Sequence, residues 1–401
     1  MKSISLLILS LFLSVPAFPQ GSVTIVKPGS SDSSFDFSGF SASGGAPAEF
    51  FNSLRKNLSL PSMFKEAPPS SADFRVLGSA VLKGDKVDVT VQLVDRAQGQ
   101  RRYGKRFTID AGQTDSLARK VSDEIYQELA RRPGFTSKPI VLVGQRQGDV
   151  AKDLYIVYPD GGGMMQLTRD RAAVLAPQWA PDGASITYTS FRSGFPDIYQ
   201  HQLSPAKRRK LSSASGMNSG GAISPDGQKM ALILSKDGKP ELYVKNLLTG
   251  ATLRMTNTPM TAKSSPSWSP DGRQIVFVSG HQGIPNLYVI SANGGQPKRI
   301  TRGGGQNLSP KWGKNGLIAY TSRRGGLFQI AIIDPNSGKS YFVSPQDADY
   351  EDPSWAADGY HLVASRTIRG QSSLYLLDMQ GKGAKSLLQV QGNWYMPNWR
   401  P

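Results

Sequence analysis

Short stretches of alternating apolar and polar residues, separated by glycine-containing turns, make up most of the chain after about residue 137. Alternation with a period of two predicts β-strands, and a pair such as Asp271-Gly272 supplies the positive φ angles of a tight hairpin turn. That turn lies between the apolar stretches 266–268 and 275–278. A serine- and glycine-containing loop, an alternating strand at 286–289 and a short outer strand follow. Each such unit therefore predicts four strands.

The units recur at a nearly constant distance along the chain. Five of the six tryptophans keep this period and Ile223 occupies the remaining position, with successive intervals of 44, 45, 44, 43 and 44 residues. A repeat of about 40 to 50 residues with turns at fixed places is typical of a β-propeller with one four-stranded blade per repeat. Six positions predict six blades. They are Trp179, Ile223, Trp268, Trp312, Trp355 and Trp399.

The two ends of the repeat region complete one blade between them. Ile140–Val143 and Asp153–Ile156 fit the second and third strands of a unit that has no innermost strand before it. Pro397–Trp399, at the C-terminus, supplies the missing strand. Joining both chain ends in one blade closes the ring and removes an exposed sheet edge.

The residues before the repeats predict a small α/β domain. A strand at Val23–Val26, a helix at Ala48–Leu58 and a hairpin of Phe74–Leu82 with Lys86–Val94 are followed by a third strand at Phe107–Ile109 and a helix from Gln113 to Arg132. The predicted fold class is a small α/β N-terminal domain followed by an all-β six-bladed β-propeller. The predicted boundaries are 1–20 for a signal peptide, 21–136 for the α/β domain and 137–401 for the propeller.

The first residues predict export from the cytoplasm. Lys2 precedes an apolar run from Ile4 to Val15, and small residues follow, which is typical of a secretory signal cleaved near Ala17 or Gln20. The chain has no cysteine, which excludes disulfides, thiolate metal sites and a lipid anchor on cysteine. The formal net charge of +17 favours attraction to anionic material of the cell envelope. The export signal and the lack of a nucleic-acid motif argue against nucleic acid as a partner.

The whole arrangement resembles the TolB family, periplasmic components of the Tol-Pal system of Gram-negative bacteria. The motifs that carry the resemblance are the Ser-Pro-Asp-Gly turns, the Leu-Tyr third strands, Gln92–Asp95, Ser122–Glu124 and the terminal Pro397–Trp399. The resemblance implies a periplasmic, non-enzymatic adaptor without a cofactor. It further implies binding to Pal, the peptidoglycan-associated lipoprotein, and coupling to TolA through the mature N-terminal tail, here about Gln20 to Pro28, for outer-membrane integrity and constriction at division.

Strand order divides the propeller into two faces. The Asp-Gly turns and the turns between third and fourth strands lie on one, which we name the hairpin face. The loops that lead into the inner strands and the serine- and glycine-containing loops lie on the other, the loop face, which in the family receives Pal. Met217 stands where the family tends to carry a histidine. The candidate partner-binding residues from the inner-strand loops are Met217, Asn218, Ser264, Asn307, Glu351, Asp352, Trp394 and Tyr395.

Trp394 has two interpretations. It lies outside the tryptophan period, so it suits an interface anchor, or it packs over the blade closure. The loop face also collects basic residues that would steer an acidic partner, although each of them alone is typical of a solvated surface charge. They are Arg192, Lys236, His281, Arg323, Arg324, Arg366 and Arg369.

The alternative function is a periplasmic propeller that binds or cleaves glycans. A serine hydrolase of the Gly-x-Ser-x-Gly type is excluded because that motif is absent. His201, His281 and His361 lie at non-equivalent positions of three units, which argues against a histidine metal site. The aspartates of the Asp-Gly turns need only a structural role. The sequence therefore predicts no catalytic residue and no metal ligand, with a cation in the central channel left open.

Overall fold

The computed structural model describes residues 32–258, 261–280, 283–302 and 305–401. The predicted signal peptide, the predicted strand at Val23–Val26 and His281 lie outside the described residues.

The N-terminal region forms a six-stranded sheet covered by helices α1 (Gly45–Leu58) and α2 (Thr114–Ala130), with a 3-10 turn at Ala111–Gln113. The predicted helices and hairpin are confirmed. The third meander strand is longer than predicted, because its first half is basic and exposed at the sheet edge and so lacks apolar alternation. At the opposite edge of the sheet, three short strands were not predicted: Ser33–Asp36, Phe40–Ala42 and Phe64–Glu66. They pair in parallel with one another or with the first hairpin strand. The strands are Ser33–Asp36, Phe40–Ala42, Phe64–Glu66, Phe74–Lys83, Lys86–Asp95 and Arg101–Asp110.

Six four-stranded antiparallel sheets follow, which confirms the six-bladed propeller. Within blades 1 to 5 the strands pair in chain order, the innermost first. Blade 1 comprises Val174–Trp179, Ser185–Ser190, Asp197–Leu203 and Ala206–Ser212; blade 2 Asn218–Ile223, Lys229–Leu234, Glu241–Asn246 and Thr252–Arg254; blade 3 Lys263–Trp268, Gln274–Ser279, Asn286–Ser291 and Lys298–Arg299; blade 4 Asn307–Trp312, Ile318–Arg324, Leu327–Ile333 and Ser340–Phe342; and blade 5 Asp349–Trp355, His361–Ile368, Gln371–Asp378 and Lys385–Ser386.

Blade 6 is built from both ends of the repeat region, as predicted. Its inner strand, Gly392–Trp399, pairs with Ile140–Arg146, which is followed by Asp153–Val157 and Met165–Gln166. The eight-residue strand near the C-terminus is thus hydrogen-bonded to the first strand after the N-terminal region, which closes the ring.

Two of the periodic tryptophans hydrogen-bond to the blade before their own. The indole N–H of Trp268 donates to the carbonyl of Ala222 at 2.8 Å, and that of Trp355 donates to the carbonyl of Lys311 at 3.0 Å. Trp399 instead donates at 2.8 Å to the carbonyl of Lys138, just before the next strand of its own blade, and Trp312 donates at 3.1 Å to the carbonyl of Gly316 in its own hairpin turn. All five tryptophans occupy the same place, the end of the inner strand of their blade, and this repeated place accounts for the period.

Two polar devices recur within the blades. The aspartate of each Asp-Gly turn accepts a backbone N–H two residues on, as in Ala184 to Asp182 at 2.8 Å, so its structural role is confirmed. A threonine or serine just after the outer strand accepts the backbone N–H of the third strand. Thr256 Oγ1 accepts from Leu242 at 3.0 Å and donates to the buried carboxylate of Glu241. These hydrogen bonds satisfy buried polar groups, which would otherwise destabilise the fold.

The N-terminal region packs on the hairpin face over blades 5 and 6. Arg119 of α2 forms a buried ion pair with Asp160, at 2.7 Å from Nε to Oδ2, and Asn57 of α1 donates to the same carboxylate at 3.1 Å. The Tyr126 hydroxyl donates to Asp358 at 2.8 Å. The loop face consequently stays uncovered by the N-terminal region.

Candidate functional site

Every inner strand carries a β-bulge on its way along the central channel. The register with the neighbouring strand shifts once in each of the six blades. At the bulge, five blades hold a non-glycine residue with φ between 48° and 54°, immediately before a proline, and blade 2 holds two glycines instead. Bulges of this kind are concentrated near functional sites and sheet rims. The five residues are Ala176, Ser265, Ser309, Asp352 and Met396.

The bulges bring several predicted residues to equivalent places around the channel. Ser264, Glu351 and Tyr395 each directly precede the left-handed residue of their blade, and Asp352 is itself such a residue. All four are partly exposed, as is Met217 in the loop before blade 2. The structure therefore places Ser264, Glu351, Asp352 and Tyr395 at equivalent points around the channel, whereas the Met217 side chain packs against the apolar cluster of blades 2 and 3.

Asn218 and Asn307 are on the same face, but their side chains are buried, which corrects their prediction as contact residues. The carboxamide of Asn218 accepts from the Ser212 hydroxyl at 2.7 Å and donates to the Ala214 carbonyl at 2.7 Å. The Asn307 amide donates to Asn286 at 3.0 Å. Each begins an inner strand and holds the loop before it.

Trp394 packs over the blade closure, so its interpretation as an interface anchor is wrong. Its side chain is 0% exposed. The ring stands perpendicular to Tyr155 with 5.3 Å between centroids, and the indole N–H donates to the Val390 carbonyl at 3.0 Å. It faces Gly144 across the strand pair, where a Cβ would lie 2.4 Å from the ring. The missing side chain at residue 144 is the sequence signal that could have indicated burial.

The basic residues of the loop face differ in whether a nearby carboxylate neutralises their charge. Arg366 pairs with Asp347 at 2.6 Å and stacks on Tyr375, and Lys236 pairs with Asp237. Arg192 lies 3.7 Å from Asp170. The guanidinium groups of Arg323 and Arg324 are exposed and rest on aromatic rings. Within the described residues neither of these two lies within 4.0 Å of a carboxylate, and the same holds for the exposed Arg369 of blade 5, so blade 4 carries two of the unpaired arginines of the basic rim.

The centre of the loop face is acidic, in contrast to its rim. Burial, reinforced by the charges of Asp352 and Asp349, raises the pKa of Glu351 to about 7. Burial also raises the pKa of Asp352, whose carboxylate accepts a hydrogen bond from the Ser309 hydroxyl at 2.6 Å. Carboxylates held where desolvation disfavours their charge are typical of binding or catalytic centres.

A cleft of about 930 Å³ opens between blades 5 and 6 on the loop face. The guanidinium groups of Arg146 and Arg369 and the ring of Tyr375 contribute to its wall together with many carboxamides. The amide side chains in the lining are Gln145, Gln147, Gln371, Gln389, Gln391 and Asn393. Donors and acceptors in this number suit a ligand rich in hydroxyl, amide or carboxylate groups.

The histidines that the structure describes do not assemble catalytic chemistry. His361 is fully buried beneath Phe135 and its Nδ1 lies 2.6 Å from Asp358, at the contact with the N-terminal region. Burial lowers the pKa of His201, which lies in the third strand of blade 1. Among the described residues, no three histidine, aspartate or glutamate side chains converge as a metal-binding group. In the same part of the chain, no helix combines the length and the apolar character needed to cross a membrane.

This chain is similar in sequence and in fold to known proteins. A family model described as the TolB β-propeller domain matches residues 126–401. The Tol-Pal system protein TolB of Alcanivorax borkumensis is 36% identical over 177 residues, which is 41% of this chain and 41% of that protein. TolB of Anaeromyxobacter dehalogenans is 31% identical over 191 residues, 48% of this chain and 42% of that protein. The chain thus spans about two fifths of the length of these relatives in each match.

The fold matches more completely than the sequence. The crystal structure of TolB from Acinetobacter baumannii superposes with a TM-score of 0.83 at 26% identity, and the match covers 92% of this chain and 96% of that one. A putative TolB from Agrobacterium tumefaciens gives a TM-score of 0.52 at 18% identity, with 66% of this chain covered, and shows the propeller fold alone.

Proposed function

Because the chain belongs to the TolB β-propeller family, we propose that it is a periplasmic, non-enzymatic adaptor of the Tol-Pal system. In this proposal the loop face binds a Pal-like peptidoglycan-associated lipoprotein. The hairpin face carries the N-terminal region, which transmits the bound state towards the inner-membrane Tol proteins. The tail at about Gln20 to Pro28, which lies outside the described residues, is proposed as the TolA contact.

The observation that carries the proposal is the construction of the loop face. Six bulged inner strands converge on one channel mouth, and the N-terminal region leaves that mouth open. The mouth offers a partly exposed aromatic residue, Tyr395, beside the acidic pair Glu351 and Asp352. Exposed arginines stand at the rim. A surface with one charge sign at its centre and the other at its edge fixes the orientation of a partner as well as attracting it.

This charge arrangement specifies the partner's chemistry. A matching surface places a cationic or hydrogen-bond donating group over Glu351 and acidic residues opposite Arg323 and Arg324. Long-range attraction to the arginine rim raises the association rate, because charges at an interface rim act mainly on the encounter.

The test is capture of partners from the native envelope with the mature protein. A triple variant, Arg192→Glu, Arg323→Glu and Arg324→Glu, is compared with wild type. We expect it to lose most of the recovered peptidoglycan-associated lipoprotein. Equal recovery by the triple variant and wild type contradicts the proposed face.

A matched control carries three equal charge changes away from the loop face. Lys207→Glu and Lys298→Glu alter exposed outer strands of blades 1 and 3, and Lys339→Glu alters an exposed turn of blade 4 on the hairpin face. We expect recovery of the lipoprotein to stay near the wild-type amount, because these residues are away from the proposed contact.

The amide-rich cleft between blades 5 and 6 favours a second candidate, a glycan-binding propeller. Carboxamides and Tyr375 suit the hydroxyl groups and ring faces of a sugar chain. Retention of the protein on purified cell-wall glycan, lost in a Gln371→Ala, Gln391→Ala variant, would support this candidate. If no lipoprotein is recovered while glycan retention persists, the adaptor proposal fails and this one replaces it.

A further inference from the structure

A cavity of about 360 Å³ opens into the channel from the hairpin face, opposite to the proposed partner surface. Two sets of equivalent inner-strand residues line it. One set is the six periodic positions, so that five tryptophans surround the cavity, and three prolines of the adjacent turns stand at its edge. The other set is the residue before each periodic position: Gln178, Ala222, Ser267, Lys311, Ser354 and Asn398.

Three of the four neutral polar members of the second set hydrogen-bond to a neighbouring blade. Asn398 Oδ1 accepts the backbone N–H of Trp179 at 2.7 Å. Ser354 Oγ accepts that of Trp399 at 2.9 Å, and Ser267 accepts that of Trp312 at 3.1 Å. These side chains therefore have a structural role that explains their polarity.

Lys311 is the charged member of the set, and its ammonium lacks such a role. Among the described residues it donates no hydrogen bond, and no carboxylate lies within 4.0 Å of it. The Asp352 carboxylate attracts the ammonium only from a longer distance, and it accepts a hydrogen bond from the Ser309 hydroxyl instead. Burial lowers the pKa of Lys311 to about 8, so at neutral pH the group is still mostly charged. The Lys311 side chain is partly exposed where it lines the cavity, so its ammonium is open to a ligand there that supplies the opposite charge.

We propose that this cavity is a binding site for an organic carboxylate, which ion-pairs with the Lys311 ammonium while its apolar body packs against the tryptophans and prolines. A single ammonium matches the single charge of a carboxylate, whereas a phosphate dianion calls for more donors than the set offers. The apolar walls favour a carboxylate with an aromatic or aliphatic body over an inorganic anion. The carboxylate can belong to a free small molecule or to the C-terminus of a peptide.

The cavity lies on the other face from the proposed partner surface, so the inference does not depend on the adaptor proposal. The test variant is Lys311→Gln. Glutamine already occupies the equivalent position of blade 1, at Gln178, and therefore fits the set. The matched control is Lys314→Gln, which removes the same charge from an exposed residue at the edge of the same cavity.

The probes are phenylacetate and an acetylated hexapeptide ending in Pro-Phe, with a free or an amidated C-terminus, titrated against tryptophan fluorescence. We expect saturable binding of at least one free carboxylate to wild type and to the Lys314 variant, weakened about tenfold or more in the Lys311 variant. Tighter binding of the free-acid peptide than of phenylacetate, lost on amidation, identifies a chain end. Equal or tighter binding of phenylacetate identifies a small molecule. No binding of either probe, or unchanged affinity in the Lys311 variant, overturns the inference.

Discussion

Replacing Trp394 by alanine tests whether the off-period tryptophan stabilises the joint between the two ends of the propeller. The side chain is fully buried against Tyr155, and it occupies the space that Gly144 leaves open. Truncating a buried tryptophan to alanine costs about 3 to 5 kcal/mol. Loss of its hydrogen bond to the Val390 carbonyl adds about 0.5 to 1.5 kcal/mol. We expect the free energy of unfolding to fall by about 4 to 6 kcal/mol.

The assay is equilibrium unfolding in urea, followed by circular dichroism. Two comparisons sharpen it. Tyr395→Ala changes the next, partly exposed residue of the same strand and should cost clearly less. Gly144→Ala inserts a Cβ that would lie 2.4 Å from the indole, and overpacking of this kind costs about 1 to 3 kcal/mol. A loss below about 1 kcal/mol for Trp394→Ala would refute the closure role and restore the interface interpretation.

Three further predictions concern charged or polar groups. Because the pKa of Glu351 is raised to about 7, the folded state binds the extra proton, so stability falls as pH rises from about 4.5 to 7. The free energy of unfolding of Glu351→Gln, measured in urea, should therefore equal that of wild type near pH 4.5. At pH 8 it should be higher by about 1 to 2 kcal/mol, after allowance for solvent screening. Arg119→Ala leaves the Asp160 carboxylate buried without its ion pair and should lower stability by about 3 to 5 kcal/mol, whereas a cost under about 1 kcal/mol would show that the pair is solvated. Thr256→Val removes both hydrogen bonds of the threonine hydroxyl and should lower stability by about 1 to 3 kcal/mol in thermal unfolding. An unchanged midpoint would show that the bonds to Leu242 and Glu241 do not stabilise blade 2.

The sequence predicts the repetitive part of the fold well because each blade needs the same few residue types. Asp-Gly pairs set the hairpins, and a tryptophan ends the inner strand of five blades, as Trp268 does in blade 3. The closing strand is predicted by the same period, because Trp399 is its last position. The short parallel strand Ser33–Asp36 was not predicted, because parallel pairing depends on distant chain segments and its burial leaves no clean alternation.

The candidate site is predicted less well, since position in a loop does not determine exposure. Asn218 and Trp394 lie near or within the loop-face segments but point into the protein, where hydrogen bonds and packing satisfy them. The bulges depend on the register between strands, which a single chain does not display. Lys311 was overlooked as well. Aligning the residue before each periodic position would have shown one charged side chain among neutral ones.

The most direct test of the adaptor account is site-specific photo-crosslinking in living cells. A crosslinking residue at Ser264 probes the loop face, and one at Asp226 probes an exposed turn of the hairpin face. The account predicts that a Pal-like peptidoglycan-associated lipoprotein is captured from Ser264 and not from Asp226. Capture of that lipoprotein only from Asp226, or from neither position while the protein is present at its normal level, would contradict it.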